Sequence, residues 1–110
     1  MADEGPVSRG SIWTAELGGT RRPVVVVTHP ALCHVLNRLT VVGVTTRRRG
    51  VETEVELGAR NGLAEGSVVN CLDLATLPTD ALTAYRGELD AGQMRHLDAA
   101  LRLALGLETP

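Results

Sequence analysis

Four consecutive valines, residues 24–27, constrain the fold of this chain more than any other segment. A β-branched run this apolar is typical of a strand that is buried on both faces. Arg21, Arg22 and Pro23 precede the run directly, although burying a charge is costly and proline cannot donate to a β ladder. The arginines are therefore expected at a strand end, either solvated or positioned for a function.

The rest of the chain predicts a small β structure that ends in one helix. Apolar or alternating segments predict further strands over residues 10–17, 39–46, 51–57, 67–77 and 82–89, and the valine strand itself spans 22–28. Residues 30–37, which start with a proline, predict one or two helical turns. A capping box at Asp90 and Gln93 begins an amphipathic helix, which Gly106 ends. We therefore expect a mainly β (α+β) fold, a small barrel of strongly bent antiparallel strands with a C-terminal helix.

Length and composition indicate one domain. The 110 residues suit a single core of modest size, which we place in residues 9–110, with residues 1–8 as a disordered tail. No apolar run approaches the ~18 residues of a membrane span, and the acidic N-terminus lacks the apolar centre of a secretory signal. Cys33 and Cys71 are therefore expected to be reduced thiols in a cytoplasmic protein without a membrane partner.

Basic residues are concentrated in the first half of the chain. All 11 are arginines; residues 1–50 hold seven of them against three acids, whereas residues 51–110 hold four against ten. Arg47, Arg48 and Arg49 form the densest cluster, which is either a solvated hairpin tip or a phosphate-binding patch. Aromatic residues are limited to Trp13 and Tyr85, which disfavours the base-stacking platforms of RRM and OB-type domains.

Arg22 and Thr45 are the candidate functional pair. Period-2 alternation puts Arg22 on the same side of its strand as Val24 and Val26, and Thr45 ends the next buried strand. A guanidinium and a hydroxyl suit RNA cleavage by RNA's own 2′-OH, because that reaction needs its phosphate held in line and the added charge stabilised. Arginine is a poor general base, because it stays protonated. We therefore predict that Arg22 binds the phosphate electrostatically or donates a proton to the leaving oxygen.

Three potential metal ligands, His29, Cys33 and His34, fall within six residues. They lack the paired C-x₂-C spacing of structural zinc sites, so we expect no metal and no other cofactor.

His29 is also a candidate acid or base, because an imidazole is suited to proton transfer at a phosphate. Seven strand residues span ~23 Å, however, so His29 reaches the Arg22 site only if the chain turns back.

The order of these segments resembles one known family. RGSIWTAEL, RRPVVVVTH, LTVVGVTTR and TEVEL precede GLAEGSVVN, TLPTDAL and a leucine-rich tail, and together they resemble the MazF/PemK (Kid) toxin endoribonucleases from about Arg9 to Leu107. The resemblance implies an SH3-like barrel of the CcdB/PemK type, a homodimer, and a bacterial type II toxin that a cognate antitoxin neutralises. It implies metal-independent, sequence-selective cleavage of single-stranded RNA through a 2′,3′-cyclic phosphate, with messenger RNA as the expected substrate and ribosomal or transfer RNA as alternatives. The family's catalytic arginine and threonine match Arg22 and Thr45.

The resemblance also implies a wider RNA-contact surface. Its predicted residues are Thr20, Arg21, Thr28, His29, Thr46, Arg47, Arg48, Arg49 and Asp73. The chain departs from the family in its short first turn, residues 18–20, and has Asp73 and Ala75 where the family often has glutamine and arginine. Two alternatives stay open: a CcdB-like toxin that binds a topoisomerase without cutting RNA, and an inactive module that only binds an antitoxin.

Overall fold

Six strands and one α-helix make up the part of the chain that the structure describes. The structure is a computed structural model, and it describes residues 5–107. The strands are β1 (Ser11–Leu17), β2 (Thr20–Val26), β3 (Arg38–Thr45), β4 (Glu54–Glu56), β5 (Val68–Pro78) and β6 (Leu82–Glu88), and the helix is α1 (Ala91–Leu105). All strands belong to one antiparallel sheet in the order β4-β5-β3-β2-β1-β6. Short 3-10 turns lie at Pro30–Leu32, Ala59–Asn61 and Thr79–Ala81.

The first three valines of the run lie in the middle of the sheet and are buried on both faces, and half-buried Val27 follows β2. Val24, Val25 and Val26 have no exposed surface. Val24 and Val26 belong to one core cluster with Trp13, whereas Val25 belongs to a second cluster with Leu97 of α1. Because successive strand side chains point to opposite faces, one strand supplies both clusters. Each valine buried in this way stabilises the fold by about 1.5 kcal/mol.

The predicted fold class is confirmed, with one difference: the sheet does not close. β4 and β6 are its two edges, and two buried amides bridge the gap between them. Asn61 donates to the carbonyl of Glu88 on β6 at 3.0 Å, and Gln93 donates to the carbonyl of Glu56 on β4 at 3.2 Å. The two side-chain amides also bond each other in both directions at 2.9 Å. We call this arrangement the amide clasp.

The helix begins and ends where its capping residues predict. The Asp90 side chain accepts from the Gln93 N–H at 2.7 Å, and Gly106 adopts the left-handed conformation at φ 68°. Leu97 and Ala100 are buried against the sheet. Within residues 5–107, no helix has the length and apolarity that crossing a membrane would require.

Two strands differ from their predicted ranges. β2 begins and ends about two residues earlier than predicted, because the turn before it is formed by Gly18 and Gly19 at positive φ. The alternating segment over residues 51–57 predicted one strand, but only Glu54–Glu56 pairs with β5. The residues before Glu54 form a turn, for which the Glu54 N–H donates to the Val51 carbonyl at 3.1 Å.

The predicted disordered tail lies only partly within the described residues. Residues 1–4 are outside them. The carbonyl of Pro6 accepts from Trp13 Nε1 at 3.2 Å, and Val7 packs against the core cluster of Trp13. The Ser8 N–H donates to Ser11 Oγ at 3.2 Å. Residues 6–8 therefore contact the first strand, while the division into a tail and one domain stays a prediction.

Candidate active site

Arg22 and Thr45 come together where β2 begins and β3 ends. Antiparallel pairing sets Val24 opposite Gly43 and Val26 opposite Val41. Continuing this register by two residues puts Arg22 level with Thr45, and residues that are level across a pair of strands share one face. Both border a cleft of about 450 Å³ at the strand ends, whose lining residues are Arg22, Pro23, Val44, Thr45, Thr46, Leu63, Ala64, Ser67 and Arg86.

The Arg22 side chain is held by two acceptors. Its Nη2 donates to Asp73 Oδ2 at 2.9 Å and to the Val44 carbonyl at 3.3 Å. The ion pair is partly exposed, with 32% of the Arg22 side chain and 41% of the Asp73 side chain accessible. A pair this accessible contributes at most about 1 kcal/mol to stability. Its main effect is to fix the direction of the guanidinium.

Two features of neighbouring strands make room for this ion pair. β5 pairs with β3 through Val42 and Leu74, but the next pair joins Gly43 to Asn70, so residues 71–73 have no partner on β3. Irregularities of this kind re-aim side chains, and here the irregular segment includes Asp73. A Cβ on Gly43 would overlap Asp73 Oδ2 and Arg22 Nη2 and would lie 3.0 Å from Arg22 Cζ. The guanidinium therefore lies across the one β3 position that has no side chain.

The hydroxyl of Thr45 is oriented by the backbone that follows it. Its Oγ1 accepts from the Arg47 N–H at 3.0 Å. An oxygen that accepts from the backbone keeps its own hydrogen for another acceptor. Among the described residues the Thr45 hydroxyl has no acceptor within hydrogen-bond distance. Thr45 is therefore able to donate to a ligand oxygen, as a phosphate site requires.

Glu54 organises the arginine turn, residues 47–50. Its carboxylate accepts from the backbone N–H groups of Arg49 and Gly50, each at 2.9 Å. The hydrogen bond from the Arg49 N–H, with smaller help from Gly50 and from the Arg48 charge, holds the pKa of the Glu54 carboxyl below its usual range. The guanidinium of Arg48 forms an ion pair with Glu56. The turn is thus ordered by acids that the alternation alone assigned to a solvated face.

Thr20 and Arg21, two of the predicted RNA contacts, lie in the hairpin that precedes Arg22. The Thr20 hydroxyl donates to the Leu17 carbonyl at 3.0 Å. Arg21 forms an exposed ion pair with Glu16, its register partner on β1, at 2.9 Å. Both side chains therefore make local contacts, and neither lines the cleft.

The structure does not bring Thr28 and His29 to the cleft. They follow β2, at the opposite end of the strand from Arg22, about 20 Å along the chain. The Thr28 hydroxyl bonds both backbone groups of Thr40, at 2.8 Å to its N–H and 3.3 Å to its carbonyl. His29 Nδ1 accepts from the Ala31 N–H at 3.1 Å and caps the 3-10 turn. The chain does not turn back, so His29 is separated from the phosphate site that Arg22 would form.

No metal centre is found within residues 5–107: no three His, Cys, Asp or Glu side chains are placed to hold an ion. Both cysteines are free and buried. Burial raises the pKa of the Cys33 thiol and raises that of Cys71 to about 11. Both thiols are therefore protonated and unreactive at neutral pH.

Arg86 is a cleft residue that the sequence did not indicate. Its Nη1 donates to the Thr14 hydroxyl and its Nη2 to the Gly62 carbonyl, both at 3.1 Å. Within residues 5–107 no carboxylate lies within ion-pair distance of it. Its position depends on the pairing of β6 with β1, strands about 70 residues apart in sequence, so local pattern carried no signal for it.

A family model described as PemK-like, MazF-like toxin of type II toxin-antitoxin system matches residues 8–105. The chain belongs to this family. The MazF-like relatives include Endoribonuclease MazF3 of Mycobacterium tuberculosis, 38% identical over 87 residues that span 79% of this chain and 84% of the relative. Endoribonuclease MazF1 of Mycobacterium bovis is 32% identical over 102 residues, 93% of this chain and 95% of the relative. The family inferred from the order of the motifs is thereby confirmed.

Solved MazF-like structures share the fold. The Mycobacterium tuberculosis toxin MazF-mt6 superposes with a TM-score of 0.85 at 36% identity, covering 90% of this chain and 99% of that one. An endoribonuclease in complex with its cognate antitoxin, from a Mycobacterial species, gives a TM-score of 0.86 at 32% identity, covering 96% and 100%. This MazF-like chain therefore matches both relatives across nearly the whole fold.

Proposed function

We propose that this chain is the toxin of a type II toxin-antitoxin system and an endoribonuclease that cleaves single-stranded RNA. One observation carries the proposal: Arg22 and Thr45 are level across β2 and β3 and border one cleft. The relatives named above are endoribonucleases, which supports the same activity here.

In the proposed mechanism, RNA supplies its own nucleophile. The 2′-oxygen attacks the adjacent phosphorus and loses its proton, the bond to the 5′-oxygen breaks, and that oxygen gains a proton. The products are a 2′,3′-cyclic phosphate and a 5′-hydroxyl. Arg22 stabilises the extra negative charge on the phosphorane, and the Thr45 hydroxyl donates a further hydrogen bond. The step draws on no metal and no other cofactor.

The wider RNA surface is proposed to surround these two residues. Thr46 lines the cleft directly, and the arginine turn that follows Thr45 adds positive charge beside it. Among the described residues, the guanidinium groups of Arg47 and Arg49 have no carboxylate within ion-pair distance, whereas Arg48 shares its charge with Glu56. Arg47 directly follows Thr46, which lines the cleft, so of the arginine turn it is the residue best placed to meet a phosphate. Thr20, Arg21, Arg49, Thr28 and His29 stay predicted contacts for nucleotides farther along the RNA.

The two alternatives to a nuclease are not favoured. A topoisomerase-binding toxin or a module that only binds an antitoxin needs no oriented hydroxyl beside a fixed guanidinium. Here the Thr45 oxygen accepts from the Arg47 N–H and faces the cleft that Arg22 borders. The family match is to PemK-like and MazF-like toxins.

A cognate antitoxin and a second copy of the chain are the proposed protein partners in the bacterial cytoplasm. A MazF-like neighbour was solved with its cognate antitoxin, which supports the first. For the homodimer, Trp13 supplies no exposed apolar surface, because it is buried within the chain. The apolar surface proposed for the dimer is instead a cleft of about 570 Å³. It is bordered by Val51, Leu72 and Leu103, which are 44%, 63% and 55% exposed. Light scattering should give a dimer that Leu103→Glu weakens; a monomeric wild type at micromolar concentration would refute the homodimer.

Incubating the protein with mixed-sequence single-stranded RNA in EDTA tests the activity. The wild type should produce fragments with 2′,3′-cyclic phosphate ends, and Arg22→Ala should produce none. Arg95→Ala, which removes an exposed arginine of α1 outside the cleft, is the matched control and should cleave like the wild type. Intact RNA with the wild type would refute the proposed function, and loss of cleavage in EDTA would refute its metal-free mechanism.

A further inference from the structure

The guanidinium of Arg22 has one occupied and one open side. Its Nη2 is taken by Asp73 and by the Val44 carbonyl. A guanidinium carries five N–H donors, and within residues 5–107 those on Nε and Nη1 have no acceptor. The ion pair therefore fixes the plane of the group while leaving donors free for a phosphate.

Asp73 is unsuited to bind an RNA phosphate. A carboxylate only accepts hydrogen bonds and repels the phosphate charge. It is also engaged already, at 2.9 Å from Arg22. Its placement depends on two separate departures from regular sheet structure, the unpaired β5 segment at residues 71–73 and the missing side chain at Gly43. A chance surface ion pair would need neither.

We propose that Asp73 is a positioning residue, which holds the Arg22 guanidinium in the orientation that stabilises the transition state of RNA cleavage. This role rests on the proposed nuclease function and replaces a direct RNA contact at Asp73. In this role Asp73 has two opposite effects. It speeds the chemical step by orienting Arg22, and it weakens substrate binding because its charge has the same sign as that of the phosphate.

Asp73→Asn separates these two effects. A fluorescent single-stranded oligodeoxynucleotide, which lacks the 2′-OH and is not cut, reports binding. Removing a unit charge about 5 Å from a phosphate in water should tighten binding about fourfold. Single-turnover cleavage of single-stranded RNA at saturating protein should slow about 10- to 100-fold, because a misplaced group costs rate steeply. A general structural defect would weaken both.

Two further variants complete the test. Asp80→Asn removes an exposed carboxylate outside the cleft and should change binding less than twofold and cleavage not at all. Gly43→Ala forces the Arg22 and Asp73 ends apart without changing any charge. Since both are ends of flexible side chains, the fold should persist. Cleavage should slow as in Asp73→Asn while binding stays within about twofold.

The outcomes distinguish this role from the function on which it rests. Wild-type cleavage rates in Asp73→Asn, or binding that weakens together with cleavage, would overturn the positioning role alone. Wild-type rates in Gly43→Ala would overturn it as well. A wild-type chain that cuts no RNA would refute the proposed function and this role with it.

Discussion

Asn61→Ala tests the amide clasp, the arrangement that takes the place of strand pairing between β4 and β6. Each of the two amides has two donor and two acceptor positions. The Asn61 oxygen accepts from Gly58 and Gln93, and its nitrogen donates to Glu88 and Gln93. Both side chains are almost fully buried, with 3% of Asn61 and 6% of Gln93 exposed. In the folded protein the two amides therefore bond almost entirely to protein groups.

The expected cost follows from counting the groups that lose a partner. Asn61→Ala leaves the Gly58 N–H, the Glu88 carbonyl and both ends of the Gln93 amide one partner short. At about 1 kcal/mol for each, and more for a buried group left without any partner, the free energy of unfolding should fall by about 2–5 kcal/mol. That is a large part of the ~5–15 kcal/mol typical of a domain.

A double-mutant cycle in urea measures the clasp itself. Gln93→Ala should cost a similar amount, with the lost capping box added. The two bonds between the amides are counted in both single variants, so the double variant should cost about 1–3 kcal/mol less than their sum. Protomer concentration is held constant, and exposed Asn37→Ala, the control, should stay within about 0.5 kcal/mol. Additive single effects, or a cost below about 1 kcal/mol for Asn61→Ala, would refute the clasp.

Three further predictions follow from the site and its surroundings. The lowered pKa of Glu54 makes the order of the arginine turn dependent on pH. The turn is fully ordered at pH values above ~4.3, the ordinary pKa of a glutamate carboxyl, and the order is lost as the pH falls through the lowered pKa of Glu54. Amide exchange of Arg49 should show this loss, and Glu54→Gln should remove the dependence. With its pKa raised to about 11, Cys71 should not react with a thiol reagent at pH 8 until the protein unfolds; faster reaction would contradict its burial. Arg86→Gln should make the binding of a single-stranded oligodeoxynucleotide less dependent on salt. The slope of the logarithm of the binding constant against the logarithm of the salt concentration should fall in magnitude by ~0.7, and an unchanged slope would mean that Arg86 has a structural role alone.

Elements set by local chemistry were predictable from the sequence. The capping box and Gly106 determine both ends of α1, and the β-branched valines determine a strand buried on both faces. β4 was less predictable, because Glu54 fits an alternating strand equally well as a solvated residue or as the acceptor for the arginine turn. Local alternation does not distinguish these two roles.

The candidate site was predictable only where strands adjacent in sequence also pair. β2 and β3 are such strands, so a register continued from the valines brings Arg22 level with Thr45. Asp73 reaches Arg22 through an irregular segment of β5, and Arg86 enters the cleft on a strand that pairs with the first one. The positions of Asp73 and Arg86 depend on pairing between strands that are far apart in sequence, and on breaks in the period-2 alternation of those strands. No local sequence pattern encodes either feature.

Stability alone does not explain why two arginines precede the buried valines. The Arg22–Asp73 ion pair, being partly exposed, contributes at most about 1 kcal/mol. Gly43, which makes room for it, costs about 0.5–1 kcal/mol relative to alanine within a strand. Residues 71–73 of β5 have no partner on β3, although the Cys71 and Leu72 N–H groups donate instead to the Thr53 carbonyl and to Asn70 Oδ1. Since these contributions roughly cancel, the arrangement has its value in where it puts the guanidinium: level with Thr45, directly before the buried valines of β2.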